Sequence, residues 1–202
     1  MRRHKHSLSH YKLLTGNMGE LIPCTWLEVY PGDTLRGRTQ GLIRLSPLVA
    51  PVMHPVVVRF HWFYVPFRII WPTAHGTFEA FITGGKDGAG DGSSYPTVTP
   101  ASVAEGDIGD YMGIKPAVAS LSVSELPILA YEKIYNEYYR DQDVISEVSG
   151  TAYGDTPLKI AWEKDYFTTA RSDTQKGADV TLPSGTKAPV YGFGKIDQSL
   201  GS

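Results

Sequence analysis

Pro55-Val-Val-Val-Arg-Phe-His-Trp-Phe-Tyr-Val-Pro66 is an extended-looking run of β-branched and aromatic residues with a proline at each end. In a strand, Val56, Val58, Phe60, Trp62 and Tyr64 fall on one face, and Val57, Arg59, His61, Phe63 and Val65 on the other. Apolar character on both faces predicts a strand in a sheet covered on both sides. Two further segments precede it within Ser9–Trp71. Leu21 to Tyr30 is apolar with only Glu28 charged, and Pro31-Gly32-Asp33 closes it with turn chemistry. From Thr34 the chain alternates: Leu35, Gly37, Thr39, Gly41, Ile43 and Leu45 share one face, while Arg36, Arg38, Gln40 and Arg44 share the other, broken only by Leu42. Ser46-Pro47 and Pro51 end this segment. No side chains in this region stand in an arrangement that catalysis demands, so it predicts architecture.

Composition sets the outer bounds. A chain of 202 residues with 42% hydrophobic and 20% charged residues has ordinary globular usage, which argues against wholesale disorder. The 21 Gly, 14 Pro and 12 Tyr favour many turns, extended segments and aromatic packing. A net charge of -2 excludes a basic nucleic-acid binder acting through the whole surface, so such a role needs a local patch. Arg2, Arg3, His4, Lys5, His6, His10 and Lys12 form one, with no acidic residue before Glu20. It reads either as a solvated arm over residues 1–20 or as a contact for phosphate or an acidic partner. Cys24 is the sole cysteine, which rules out an intrachain disulfide and a cysteine zinc cluster and fits a reducing compartment. No apolar run is long enough for a membrane span, and no apolar core follows the basic start as in a signal peptide. Retention in the cytosol where the chain is made is the expectation.

Beyond Trp71 the pattern changes. Thr77 to Ile82 predicts a short helix, and Gly84-Gly-Lys-Asp-Gly-Ala-Gly-Asp-Gly92 a flexible connection. Residues 84–122 read as an insertion of loops. Ser124 as a cap, Glu125 and Pro127 in the first turn, and Ile128, Tyr131, Ile134, Tyr135 and Tyr138 at helical spacing predict the clearest helix. A short piece around Ile160, Trp162, Tyr166 and Phe167 and a strand at Val180-Thr-Leu182 complete the expectation.

Candidate chemistry is sparse. The Gly84–Gly92 stretch lacks the Gly-Lys-Ser/Thr ending of a phosphate loop, and its Asp87 and Asp91 make one imperfect copy of a calcium-binding repeat. His54 and His61 are seven residues apart, on opposite faces of a continuous strand, with no carboxylate between them, so packed histidine is the better reading. Cys24 between Pro23 and Thr25 reads as buried and inert, and no Gly-x-Ser-x-Gly elbow is present. The tyrosine stripe Tyr131, Tyr135 and Tyr138 means burial or a subunit interface. Arg36, Arg38 and Arg44 form either a solvated sheet face or a second contact for nucleic acid.

A series of segments then resembles one family. Ser9-His-Tyr-Lys-Leu-Leu-Thr-Gly-Asn-Met-Gly-Glu-Leu-Ile-Pro23, Pro31-Gly-Asp-Thr-Leu35, Arg44-Leu-Ser-Pro-Leu-Val-Ala-Pro-Val-Met-His54 and Phe63-Tyr-Val-Pro-Phe-Arg68 resemble the start of the major capsid protein of microviruses, in particular the gokushovirus-like branch. Tyr131-Glu-Lys-Ile-Tyr-Asn-Glu-Tyr-Tyr-Arg-Asp141, Trp162-Glu-Lys-Asp-Tyr-Phe-Thr-Thr-Ala170, Gln175-Lys-Gly177 and Val180-Thr-Leu-Pro183 continue the likeness in order. The resemblance implies a mainly β fold, a viral jelly-roll β-sandwich with long loop and helical insertions, spanning residues 21–202 as part of one domain. It implies a structural protein of the virion, without enzymatic activity or cofactor. Its partners would be copies of itself in the simplest icosahedral shell, packaged circular single-stranded DNA and other virion or assembly proteins, with assembly in the host bacterial cytoplasm and no membrane. Arg2, Arg3, Lys5 and Lys12 are then the first candidates for DNA or internal-protein contact. Family members are much longer, and this chain holds too few strand candidates to close a two-sheet roll. A partial record is the expectation, since an open half-sandwich leaves the Val56–Tyr64 face and its edge uncovered. The alternative is a soluble β-rich carbohydrate- or ligand-binding module, suggested by the Tyr and Trp content; a jelly-roll metalloenzyme is a weaker third.

Overall fold

The computed structural model describes residues 4–115, 121–142, 144–161, 163, 166, 167 and 169. The strand expected at Val180–Leu182 and Trp162 lie outside the described residues. The chain divides into two compact units, Met1–Glu163 and Lys164–Ser202. In the second, the rings of Tyr166 and Phe167 meet edge-on at 5.6 Å, and the Thr169 hydroxyl donates to the Tyr166 carbonyl at 2.9 Å.

In the first unit an extended N-terminal stretch leads into α1 (Phe67–Ile70), a 3-10 turn (Thr73–His75) and α2 (Phe78–Thr83). A glycine-rich loop, β1 (Thr97–Val98), α3 (Ile108–Tyr111), β2 (Val123–Ser124) and α4 (Leu126–Ile134) follow, and α4 runs into a π turn over Tyr135–Tyr139. β1 and β2 pair antiparallel, Thr97 against Ser124 and Val98 against Val123.

The helices form where local chemistry dictates. Thr77 caps α2 by accepting from the Ala80 N–H at 3.2 Å, and Gly84, at φ 79°, ends it with its N–H on the Ala80 carbonyl. Ahead of α4, the Ser124 hydroxyl accepts from the Leu126 N–H at 3.3 Å, and Pro127 sits in the first turn, where its missing N–H costs no hydrogen bond. Leu126, Ile128 and Tyr131 turn inward from α4, and Tyr135 and Asn136 continue that burial into the π turn. The Arg140 N–H closes this turn on the Tyr135 carbonyl at 2.9 Å, five residues back.

The core gathers Val103, Ile108, Ile128, Tyr131 and Tyr153, with Leu21, Val98, Met112, Ile114, Val123 and Leu158 packed around it. Ile108 is fully enclosed, a burial that stabilises by about 1.5–3 kcal/mol. Val103 and Ile108 lie in the span 84–122, so that span feeds the core as well as the surface. The Ile108 and Gly109 N–H groups, which open α3, donate to the carbonyls of Asp155 and Tyr153 at 2.8 Å. A second aromatic cluster joins Trp71 to Phe78, Phe81 and Tyr95, with centroids 5.0–6.2 Å apart.

The three segments expected as buried strands carry no regular secondary structure and enter no sheet. The turn between the first two is as expected: Asp33 N–H reaches the Tyr30 carbonyl at 3.1 Å, with Gly32 at φ 92°. Yet every residue from Tyr30 to Trp62 is exposed, including Leu35, Ile43, Val56, Val58 and Phe60. The reason is the shortage of partners. Among the described residues the β pairing amounts to the two-residue strands and one bridge, so no sheet covers these faces and no jelly roll is built.

Close approach at Gly109 gives a direct test of the core. A Cβ there would lie 2.8 Å from the Tyr153 carbonyl oxygen and 3.1 Å from both Val103 methyls. Gly109→Ala is expected to destabilise by about 1–2 kcal/mol in urea unfolding, because the clash outweighs the helix-propensity gain of about 1 kcal/mol.

Candidate functional site

Four tyrosine hydroxyls fasten backbone to backbone around α4. Tyr131 Oη donates to the Leu21 carbonyl at 2.8 Å and accepts from the Leu158 N–H at 2.9 Å. Beside it the Leu21 N–H donates to the Leu158 carbonyl, the Ile160 N–H to the Gly19 carbonyl, and Glu20 bridges antiparallel to Lys159. The hydroxyl therefore stands in for one rung of a short ladder that carries the arm. Tyr135 Oη donates to the Lys159 carbonyl at 3.2 Å, Tyr111 Oη to the Thr15 carbonyl at 2.5 Å and Tyr153 Oη to the Ser124 carbonyl at 2.6 Å. Burial pushes the phenols of Tyr131 and Tyr153 up to about 12.

The next face of the same helix holds a second segment. Glu132 in α4, Asn136 in the π turn and Arg140 just after it lie four residues apart in sequence and reach the same segment. Glu132 Oε2 accepts from the Thr151 N–H at 2.7 Å, and Arg140 Nη1 donates to the Ile145 carbonyl at 2.9 Å. Between them the buried Asn136 exchanges both amide bonds with Val148, 2.7 Å to its carbonyl and 3.0 Å from its N–H.

The expected contact residues separate into distinct settings. Arg2 and Arg3 lie outside the described residues, Lys5 is exposed, and Arg36, Arg38 and Arg44 are all exposed along the extended span. Lys12 donates its ammonium to the Tyr111 carbonyl, and burial lowers its pKa against the pull of Cys24 and Asp110. Cys24 is half-buried rather than enclosed; burial raises its thiol, and Lys12 opposes the rise. Tyr131 and Tyr135 are interior, but Tyr138 is 71% exposed because the π turn swings it off the buried stripe. Tyr138 and Tyr139 instead line an open aromatic groove with Phe60, His61, Trp62 and Phe63. Within it Phe63 meets Tyr138 at 4.9 Å, and His61 Nδ1 lies 2.5 Å from the Tyr139 hydroxyl. His61 is thus hydrogen-bonded as expected of a packed histidine, though exposed; His54 is exposed. Among the described residues, no three His, Cys, Asp or Glu side chains come together as a metal-binding group.

The family model for Capsid protein (F protein) matches residues 1–201. The chain belongs to this capsid protein family. Over 188 residues it is 38% identical to Capsid protein VP1 of Bdellovibrio phage phiMH2K, covering 87% of this chain and 34% of that relative. With Capsid protein VP1 of Spiroplasma virus 4 it shares 32% identity over 212 residues, 93% of this chain and 37% of the relative. With Capsid protein F of Escherichia phage G4 the identity is 33% over 135 residues, 67% of this chain and 29% of the relative. The chain spans about a third of the length of the curated relatives it matches.

Tyr111, Tyr153 and Asn136 were not singled out from the sequence of this capsid protein. The abundance of tyrosine was the available signal, but which carbonyl each hydroxyl meets depends on contacts tens of residues away.

Two measurements test the fastening. Tyr131→Phe leaves the Leu21 carbonyl and Leu158 N–H without their partner and is expected to cost about 2–4 kcal/mol in denaturant unfolding. The raised phenols also set an alkaline limit. Below pH 10 both states keep the protons; above it the unfolded tyrosines ionise first, so the contribution of these two phenols to stability falls and is lost by about pH 12. The expected loss is about 2–3 kcal/mol for each of Tyr131 and Tyr153, followed by circular dichroism against tyrosinate absorbance. Tyr131→Phe should make the pH dependence shallower by one proton.

Proposed function

We propose that this chain is the N-terminal part of a major capsid protein that assembles into a T=1 icosahedral shell around circular single-stranded DNA. The observation that carries this reading is the apolar span 30–62, exposed on both faces in a chain whose family forms capsids. In this reading residues 21–66 supply strands of a viral jelly-roll β-sandwich within a domain over 21–202, and residues 1–20 form a basic arm. The span 84–122 and the α4 region decorate the sandwich, with Tyr138 and its groove left for contact between subunits. The protein resides in the virion after assembly in the bacterial cytoplasm, and its role is structural.

Charge placement supports a division of labour for DNA. Arg2, Arg3 and Lys5 are the first candidates, Lys12 is the most constrained because its ammonium is held by the Tyr111 carbonyl, and Arg36, Arg38 and Arg44 form the second group. Each phosphate contact contributes to the dependence of binding on salt.

The expected outcome is closed particles by electron microscopy when the capsid polypeptide is expressed through its whole reading frame. Replacing Arg2, Arg3 and Lys5 with Ala is expected to leave particles intact and to make DNA retention weaker, with a salt slope shallower by about 2. Unchanged retention and slope would remove the arm from the DNA contact; only small soluble species would remove the shell.

A further inference from the structure

We propose that residues 10–25 form a closed loop that presents the ring of Tyr11 to an unpaired nucleobase, with Lys12 holding the loop in place and Lys5 meeting phosphate. The inference rests on the DNA reading above and adds what the arm recognises, the flat face of a base as well as the charge of the strand.

The loop is closed at its neck and tied down from behind. His10 Nε2 lies 3.3 Å from the Thr25 hydroxyl, while His10 Nδ1 lies 2.8 Å from the Leu8 carbonyl. The end of α3 and the residue after it supply the ties. Lys12 donates its ammonium to the Tyr111 carbonyl, the Tyr111 hydroxyl donates to the Thr15 carbonyl, and Trp26 Nε1, just past the neck, donates to the Met112 carbonyl at 3.1 Å. Because Ile108 of α3 is fully enclosed, these ties connect the loop to the core. A short loop whose ends meet and whose backbone is held at several points keeps its outward side chains in place.

Lys12 turns towards α3, and the residues on either side of it turn away: Tyr11 is 88% exposed and Leu13 89%. Among the described residues the Tyr11 ring has no ring partner and its hydroxyl no hydrogen bond. The charge around it is of one sign. Lys5 is exposed and makes no ion pair among the described residues, and the sequence adds Arg2 and Arg3 upstream. The first carboxylate of the chain, Glu20, is engaged by the Asn17 backbone N–H at 3.2 Å and its side-chain amide at 3.0 Å. An open aromatic face beside uncompensated cations is the pairing that single strands use, since the cations follow the backbone and the ring takes a base of any kind. A protein partner is the competing occupant, and a run of cations without a free carboxylate favours the polyanion.

The test uses unassembled subunits of the capsid polypeptide expressed through its whole reading frame. The probes are fluorescent oligo(dT) of about 12 nucleotides and an abasic strand of the same length and charge. Wild-type subunits should bind oligo(dT) about 5-fold or more tighter than the abasic strand; Tyr11→Ala should abolish that preference without weakening the abasic complex, and Tyr11→Phe should keep it. Lys12→Met should lower the preference with no change in salt slope, and Lys12→Arg, which keeps a donor, should restore it. Lys5→Ala should make the slope shallower by about 0.7, the share of one phosphate contact on a single strand.

A preference for oligo(dT) that is absent from the wild type, or that survives Tyr11→Ala, overturns the stacking role. Equal weakening of both complexes by Tyr11→Ala makes the ring a support of the loop and overturns it as well. Wild-type affinity for both strands in a Tyr11→Ala variant that no longer forms particles assigns the ring to a protein contact instead. A slope shallower by about 0.7 in Lys12→Met overturns the holding role of Lys12. Wild-type subunits that bind neither strand overturn the DNA reading and the stacking with it, while electron microscopy of particles still decides the shell.

Discussion

One hydroxyl group, Oη of Tyr131, sits where three parts of the first unit meet. It belongs to α4, donates to the chain at Leu21, just past the arm, and accepts from the returning chain at Leu158. A buried polar atom in this position is stabilising only because both its donor and its acceptor capacity are used. The same atom completes a ladder that the short pairing of Glu20 with Lys159 leaves unfinished. Regular secondary structure is scarce around it, so the backbone groups of irregular segments depend on side chains for their partners.

That dependence explains why α4 carries two kinds of residue on neighbouring faces. Tyrosines on one face reach carbonyls with a rigid ring and one hydroxyl, which orders few torsions. Glu132, Asn136 and Arg140 on the next offer an acceptor, an amide that does both, and a donor, matched to the peptide groups they meet. The π turn that follows rotates Tyr138 away from the interior and towards Phe63, so the register change at the helix end sets which aromatic faces solvent.

Local signals were legible in the sequence and distant pairings were not. Thr77, Gly84, Pro127 and the Pro31-Gly32-Asp33 corner act within a few residues of themselves, and the structure has the elements they announce. The alternation of residues 34–45 and 55–66 was also readable as strand pattern, but a pattern names a face to be covered without supplying the cover. The tyrosine stripe pointed to burial at Tyr131 and Tyr135, whereas the exit of Tyr138 required knowing where the helix widens. The capsid family was readable because its matching segments run in order along the chain, which no single segment conveys.

Glu132, Asn136 and Arg140 touch segment 145–151 through peptide N–H and C=O groups alone in the bonds described. Recognition of that kind is indifferent to what the held residues carry on their α-carbons. Ser146, Glu147 and Ser149, all exposed, are therefore free to change in size and charge while the path of the backbone is kept. An attachment made through the peptide groups holds the path of the backbone whatever side chains the held residues carry.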